Sequence, residues 1–154
     1  MPCIESNWTR GALASLLLMT ACSSPMPASG PAPRSGGSAA LAAPSSVRSM
    51  NDVRLQAARR MVAANPGGTY TGTVPDILLA IPVLEIELNG DGSIRRIEVL
   101  RKPGQAPETL QMAIDAVRRA APFGDVSRLP KPWKFAETFL FNDEHKFKPR
   151  TLDQ

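Results

Sequence analysis

Between residue 47 and the C-terminus the spacing of apolar residues changes period several times, and each change marks an element. Over 51–64, Leu55, Ala58 and Val62 share one helical face with Met61 beside it, while Arg54, Arg59 and Arg60 take the polar side. Ser49 or Asn51 is placed to cap this helix, and Asn65, Pro66, Gly67 and Gly68 to end it. Residues 69–80 follow no single period, because Pro75 and the unpatterned stretch from Ile77 to Ala80 interrupt the β-branched residues. Leu84, Ile86 and Leu88 then alternate with Glu85 and Glu87, the pattern of a half-buried strand. Asn89, Gly90, Asp91 and Gly92 accept positive φ and predict a hairpin turn. In the return strand, 93–101, Ile97 and Val99 share a face. Ile94 breaks their parity, which predicts a bulge near Arg95.

Pro107 suits the first turn of a second helix that runs to about Ala121. Leu110, Ala113, Ile114 and Val117 give it a core stripe, with Arg118 and Arg119 outside. After Pro122 the chain loops to Trp133, and residues 135–141 read as a third strand whose phenylalanine face is interrupted by Glu137. Six of the eight aromatic residues lie between Phe123 and Phe147, so the C-terminal third supplies the heavy core side chains. The elements follow in the order helix, hairpin, helix, strand, which places helices and strands together in one domain over 47–154.

Upstream of the domain the pattern is different. Arg10 precedes an apolar run over 11–21 that ends at Cys22. The run is too short to cross a hydrocarbon core, which takes about 20 helical residues, and it reads as an export signal. Leu18, Met19, Thr20, Ala21 and Cys22 resemble a bacterial lipoprotein box, although Met19 stands where that family usually has leucine. The resemblance implies that 1–22 is a lipoprotein-type signal peptide and that Cys22 is lipidated. The non-acidic Ser23 then implies anchoring in the outer membrane. An ordinary cleaved export segment and an uncleaved anchor are the alternatives. In 23–46, five Pro, three Gly, seven Ser and six Ala make up 21 of 24 residues, a composition expected to form a disordered tether.

Charge and chemistry narrow the function. The 154 residues hold 18 basic and 14 acidic side chains, a net charge of +4 and a pI near 9.5. Setting aside Arg10, Arg34 and Glu5, the segment 47–154 carries 16 against 13, a mild excess that lacks the dense basic stripe of a nucleic-acid binder. Cys3 and Cys22 both precede the domain, which is left without a disulfide. The single histidine, His145, sits with Asp143, Glu144 and Lys146 and reads as a solvated loop residue. Asn89 and Asp91 fall short of the six or so oxygens that calcium takes, and Gly67 and Gly68 lack the lysine of a phosphate loop. No catalytic residue, metal or cofactor is expected. Arg95, Arg96, Arg101 and Lys102, with Lys146, Lys148 and Arg150, are either ordinary solubilising charge or a patch for anionic polymer or lipid headgroups.

Taken in order, the Leu84–Ile94 hairpin, the helix around Ala113, Ile114, Ala116 and Val117, the sequence Ala121-Pro122-Phe123, then Leu129 and Pro130, and finally Phe139 and Phe141 resemble the C-terminal domain of TolA and TonB, and TolA more closely. The resemblance implies an α+β fold, a small three-stranded antiparallel sheet packed against two or more helices, and a non-enzymatic envelope protein on the periplasmic side, joined to the membrane by its lipid. It also implies binding of a periplasmic or outer-membrane protein segment, often by strand addition at a sheet edge. The expected edge is 135–141, with Ala136, Thr138 and Leu140 on the face opposite Phe139 and Phe141; a covered edge is the alternative. Two other readings remain at this point. One is a TonB-type energy-transducing component, for which the apolar run is too short to supply a spanning helix. The other is a small envelope enzyme using Asp143, Glu144 or His145.

Overall fold

The computed structural model describes residues 41–153. The expected signal peptide, the lipidation site at Cys22 and residues 23–40 of the expected tether lie outside the described residues.

Helix α1 spans Met50–Ala64, and its N-cap is Ser49, whose side chain accepts a hydrogen bond from the Asp52 backbone N–H at 3.1 Å. Ser49→Ala should therefore cost about 1 kcal/mol in a urea melt, with the slope unchanged. The buried residues of α1 are Val53, Ala57, Ala58 and Met61. Leu55 and Val62 are half-buried, so the buried stripe is rotated by roughly one residue, about 100°, from the expected one. The rotation goes with what the C-terminal part of the helix holds. Asn65, buried after the last turn, donates to the carbonyls of Met61 and Ala116 and accepts from Arg119 Nε at 2.6 Å. Arg60 Nε donates to the Ala120 carbonyl at 2.9 Å. Both contacts tie α1 to helix α2, Glu108–Ala120.

Strands β1 (Val83–Leu88) and β2 (Ile94–Arg101) form the expected hairpin, followed after α2 by β3 (Lys134–Phe141). The bulge expected near Arg95 is present, as a register shift between Glu87 and Leu88, and a second shift lies between Val83 and Leu84. A fourth strand, β4 (Phe147–Pro149), pairs antiparallel with β3. The sheet is thus four-stranded in the order β2-β1-β3-β4, one strand more than the three expected, within the expected α+β class. A short 3₁₀ turn, η1 (Arg150–Leu152), follows β4.

Leu84, Ile86 and Leu88 of β1 and Phe135, Phe139 and Phe141 of β3 share one core with Met61, Ala113, Val117 and Phe123. The opposite face of the sheet carries Glu85, Glu87, Lys134 and Ala136, in keeping with the alternation of the strands. The hairpin turn is docked at its backbone, where Gly92 O accepts from the Phe123 N–H at 2.9 Å and Gly90 O from the Val126 N–H at 2.8 Å.

The last six residues assigned to the tether, 41–46, are held against α1. Gln56 accepts from the Ser45 N–H at 3.0 Å and donates back to the Ser45 carbonyl at 3.1 Å. Arg60 Nη1 donates to the Ala42 carbonyl at 2.6 Å. Composition predicts disorder here, but two helix side chains bond three backbone groups of this segment, at Ala42 and Ser45.

Candidate functional site: the half-covered strand β3

The expected binding edge is only partly an edge. β3 lies between β1 and β4, and β4 pairs only with Phe139, Leu140 and Phe141. The odd residues of β3 turn their backbone groups to the β1 side, as the bonds from Phe139 N to Pro82 O and from Phe141 N to Ala80 O show. By alternation Lys134, Ala136, Thr138 and Leu140 turn theirs to the β4 side. Leu140 is opposite Lys148 and only 3 % exposed, so it does not belong to an open edge. Among the described residues no strand pairs with 134–138 on that side. Ala136 is exposed and Thr138 half-buried. Of the three residues expected to meet a partner, two lie on the uncovered half of the strand and the third lies under β4.

Glu137 marks where the cover stops. It points to the core face, between Phe135 and Phe139, and is 2 % exposed. Its Oε1 accepts from the Thr138 N–H at 3.2 Å and from the Thr151 N–H at 3.1 Å. A side chain thus occupies the Thr138 donor where a neighbouring strand would otherwise bond, and holds η1 against β3. The second oxygen, Oε2, is buried with no hydrogen-bond partner among the described residues, and so is Nε of Arg54 on α1. Burial raises the Glu137 pKa, against the opposing pull of its two donors and of Arg54. A cleft of about 220 Å³ opens at this point, lined by Arg54, Ala136, Glu137, Thr138, Arg150 and Thr151 among others.

The raised pKa has a pH signature. A carboxyl whose folded pKa lies above its ordinary 4.5 adds stability below that value, and the addition is lost as pH rises through the folded pKa. Urea melts of the wild type referenced to Glu137→Gln should show the wild type losing ground as pH rises from about 4. A difference that is flat with pH would mean that burial does not perturb Glu137.

The sheet's other edge, β2, is longer but poorly suited to pairing. Its two register shifts disrupt a continuous ladder, and its outward charges are engaged with β1. Arg95 and Arg96 reach Glu87 at 3.1 and 3.3 Å, and Arg96 also reaches Glu98 at 3.4 Å. Bulges and charge are the usual means of blunting an edge.

The remaining basic residues are mostly engaged as well. Arg101 donates from Nε and Nη2 to the Ile81 carbonyl, Lys148 pairs with Asp153 at 2.6 Å, and Lys146 pairs with Glu144 at 2.6 Å. His145 lies in the exposed β3–β4 turn at φ 57°, with Nε2 3.0 Å from Glu108 Oε1. Among the described residues there is no cluster of three metal-ligating side chains and no helix long and apolar enough to cross a membrane. Comparison with protein-family models, curated proteins and solved structures finds no match to this chain.

The sequence pattern singled out 135–141 and did not reveal the cleft that Glu137 shares with Arg54. A glutamate within a phenylalanine face was the available signal; its burial depends on Thr151, fourteen residues away.

Proposed function

We infer that the chain is a non-enzymatic cell-envelope lipoprotein, anchored through Cys22, whose TolA/TonB-like domain binds another periplasmic or outer-membrane protein by strand addition. The observation that carries this reading is the uncovered half of β3. Lys134 and Ala136 turn backbone donors and acceptors to a side where β4 has already ended, while Glu137 already takes the Thr138 N–H. An extended partner segment satisfies such groups and gains affinity from the main chain, with alternate side chains left to confer specificity. β2, with two bulges and paired charges, is the weaker edge. The same reading takes the membrane contact to be the lipid rather than a protein helix, since several acyl chains together, at about 0.8 kcal/mol per buried methylene, hold firmly where one would not.

Site-specific photo-crosslinking in intact cells tests the edge. Crosslinkers at Ala136 and Thr138 should give a discrete adduct, while Leu140, under β4, and the exposed Arg59 should give none. Equal labelling from all four positions, or adducts from Arg59 alone, would move the contact surface away from β3. The mass of the mature N-terminus tests the anchor: an acylated Cys22 is expected, and an unmodified terminus overturns it.

A further inference from the structure

The cleft beside the open half of β3 holds two unmatched groups. Glu137 Oε2 lacks a donor and Arg54 Nε–H lacks an acceptor, and both atoms are buried. Leaving either unsatisfied costs more than an ordinary hydrogen bond returns, because each has given up water without replacement. Neither an apolar side chain nor a lone ion cures both. A cation would serve Glu137 and repel Arg54, and an anion would do the reverse. A carboxamide carries an N–H donor and a carbonyl acceptor on one planar group, and so serves both at once. The cleft's volume, about 220 Å³, accommodates one such side chain. Its position is also suitable, since Ala136, on the open edge, lines the same cleft. A segment added there directs every second side chain to the face on which Glu137 lies.

We propose that the Glu137–Arg54 cleft is a specificity pocket that takes an asparagine or glutamine side chain from an extended segment lying along residues 134–138 of β3. This rests on the edge-binding reading above and adds to it the identity of one partner side chain. Glu137 accepts the amide N–H, Arg54 donates to the amide oxygen, and the backbone of the added segment pairs at Ala136. Thr151, which also lines the cleft, donates to the other carboxylate oxygen and sets Glu137 before the ligand arrives.

The test uses the purified full chain in mild detergent and a capped heptapeptide, Thr-Val-Thr-X-Thr-Val-Thr, with X as Gln, Asn, Leu, Lys or Glu. Binding is read from the NMR shifts of the Ala136 amide and of Arg54 Nε–H. The Gln or Asn guest should bind about tenfold or more tightly than Leu, since Leu leaves both buried groups unpaired. Glu137→Gln should lose that preference and gain one for the Glu guest. Arg54→Met should erase the preference while the Ala136 shift persists, so a variant that merely unfolds is recognised by its spectrum. Equal affinity for all guests, with Ala136 still shifted, would overturn the pocket and leave the edge reading standing. So would preference for Lys, or an Arg54 Nε–H that contacts a long-lived water in both free and bound states. Failure of every peptide to shift Ala136 would overturn the edge reading and the pocket with it.

Discussion

Gly92→Ala is expected to destabilise the domain by about 2–5 kcal/mol, from roughly 1–2 for a non-glycine residue at positive φ and 1–3 for overpacking. Gly92 sits at φ 79° in the β1–β2 turn, and a Cβ built on it collides with the backbone N, C and O of Gly124. Gly124 has little room to retreat. It is itself at φ 107°, with Gln56 Nε2 and the Ser45 carbonyl packed against it. The collision is with main chain, so no rotamer change relieves it. The two bonds that dock the turn, from Phe123 N to Gly92 O and from Val126 N to Gly90 O, are lost if the strands move apart. Urea denaturation followed by tryptophan fluorescence reads the effect, since Trp133 borders the turn through Gly90. A loss below about 1 kcal/mol would mean that the turn and the 121–126 loop separate freely. Gly90→Ala provides the comparison: its nearest neighbours are side-chain atoms of Ser127 and Trp133 at 3.5–3.7 Å, an ordinary contact distance, and its cost should be small.

The second large effect is at Phe139. Its ring is fully buried and stacks at a tilt on Phe147 with centroids 5.3 Å apart, while Phe141 lies 5.7 Å from Phe147 on the other side. Phe139→Ala should cost about 3–5 kcal/mol, the range for a phenylalanine whose cavity cannot collapse. The loss extends beyond β3. Phe147 belongs to the three-residue β4, which has a short ladder with β3 and two backbone bonds from Phe147 to Gly68 and Tyr70, so the aromatic contact is a large share of what holds it. Hydrogen exchange in Phe139→Ala should therefore accelerate first at Phe147 and Lys148, before the β1–β2 hairpin responds. Uniform acceleration across the sheet would indicate that β4 opens only together with the whole domain.

Much of this architecture was legible because it repeats a local pattern. The alternation of Leu84, Ile86 and Leu88 gave β1 its face, Ile94 gave away the bulge, and Phe135, Phe139 and Phe141 placed β3 against the helices. β4 was not legible: three residues, one of them Pro149 and one Lys148, establish no period. Its existence changes the functional reading most, since it covers Leu140 and stops before Thr138. The stripe on α1 was displaced for a related reason. Leu55 and Val62 are the larger apolar residues, but the helix sits where small Ala57 and Ala58 allow close approach and where Arg60 and Asn65 clasp α2. At β3, the sequence showed Glu137 only as an interruption. Its role depends on a bond to Thr151 and on the absence of one to Arg54, and neither follows from spacing.

The hold of Gln56 and Arg60 on residues 42–45 determines how tension would enter this domain. The segment runs antiparallel to α1, with Ala42 beside Arg60 and Ser45 beside Gln56, before the chain turns back to the Ser49 cap. A pull arriving from the N-terminal side meets the Arg60 bond first and the Gln56 pair next, so the bonds break one after another rather than together. Peeling 41–46 frees about 20 Å of chain before any load reaches the first turn of α1. None of these bonds involves β3, so the segment would extend ahead of the strand that carries the uncovered backbone groups.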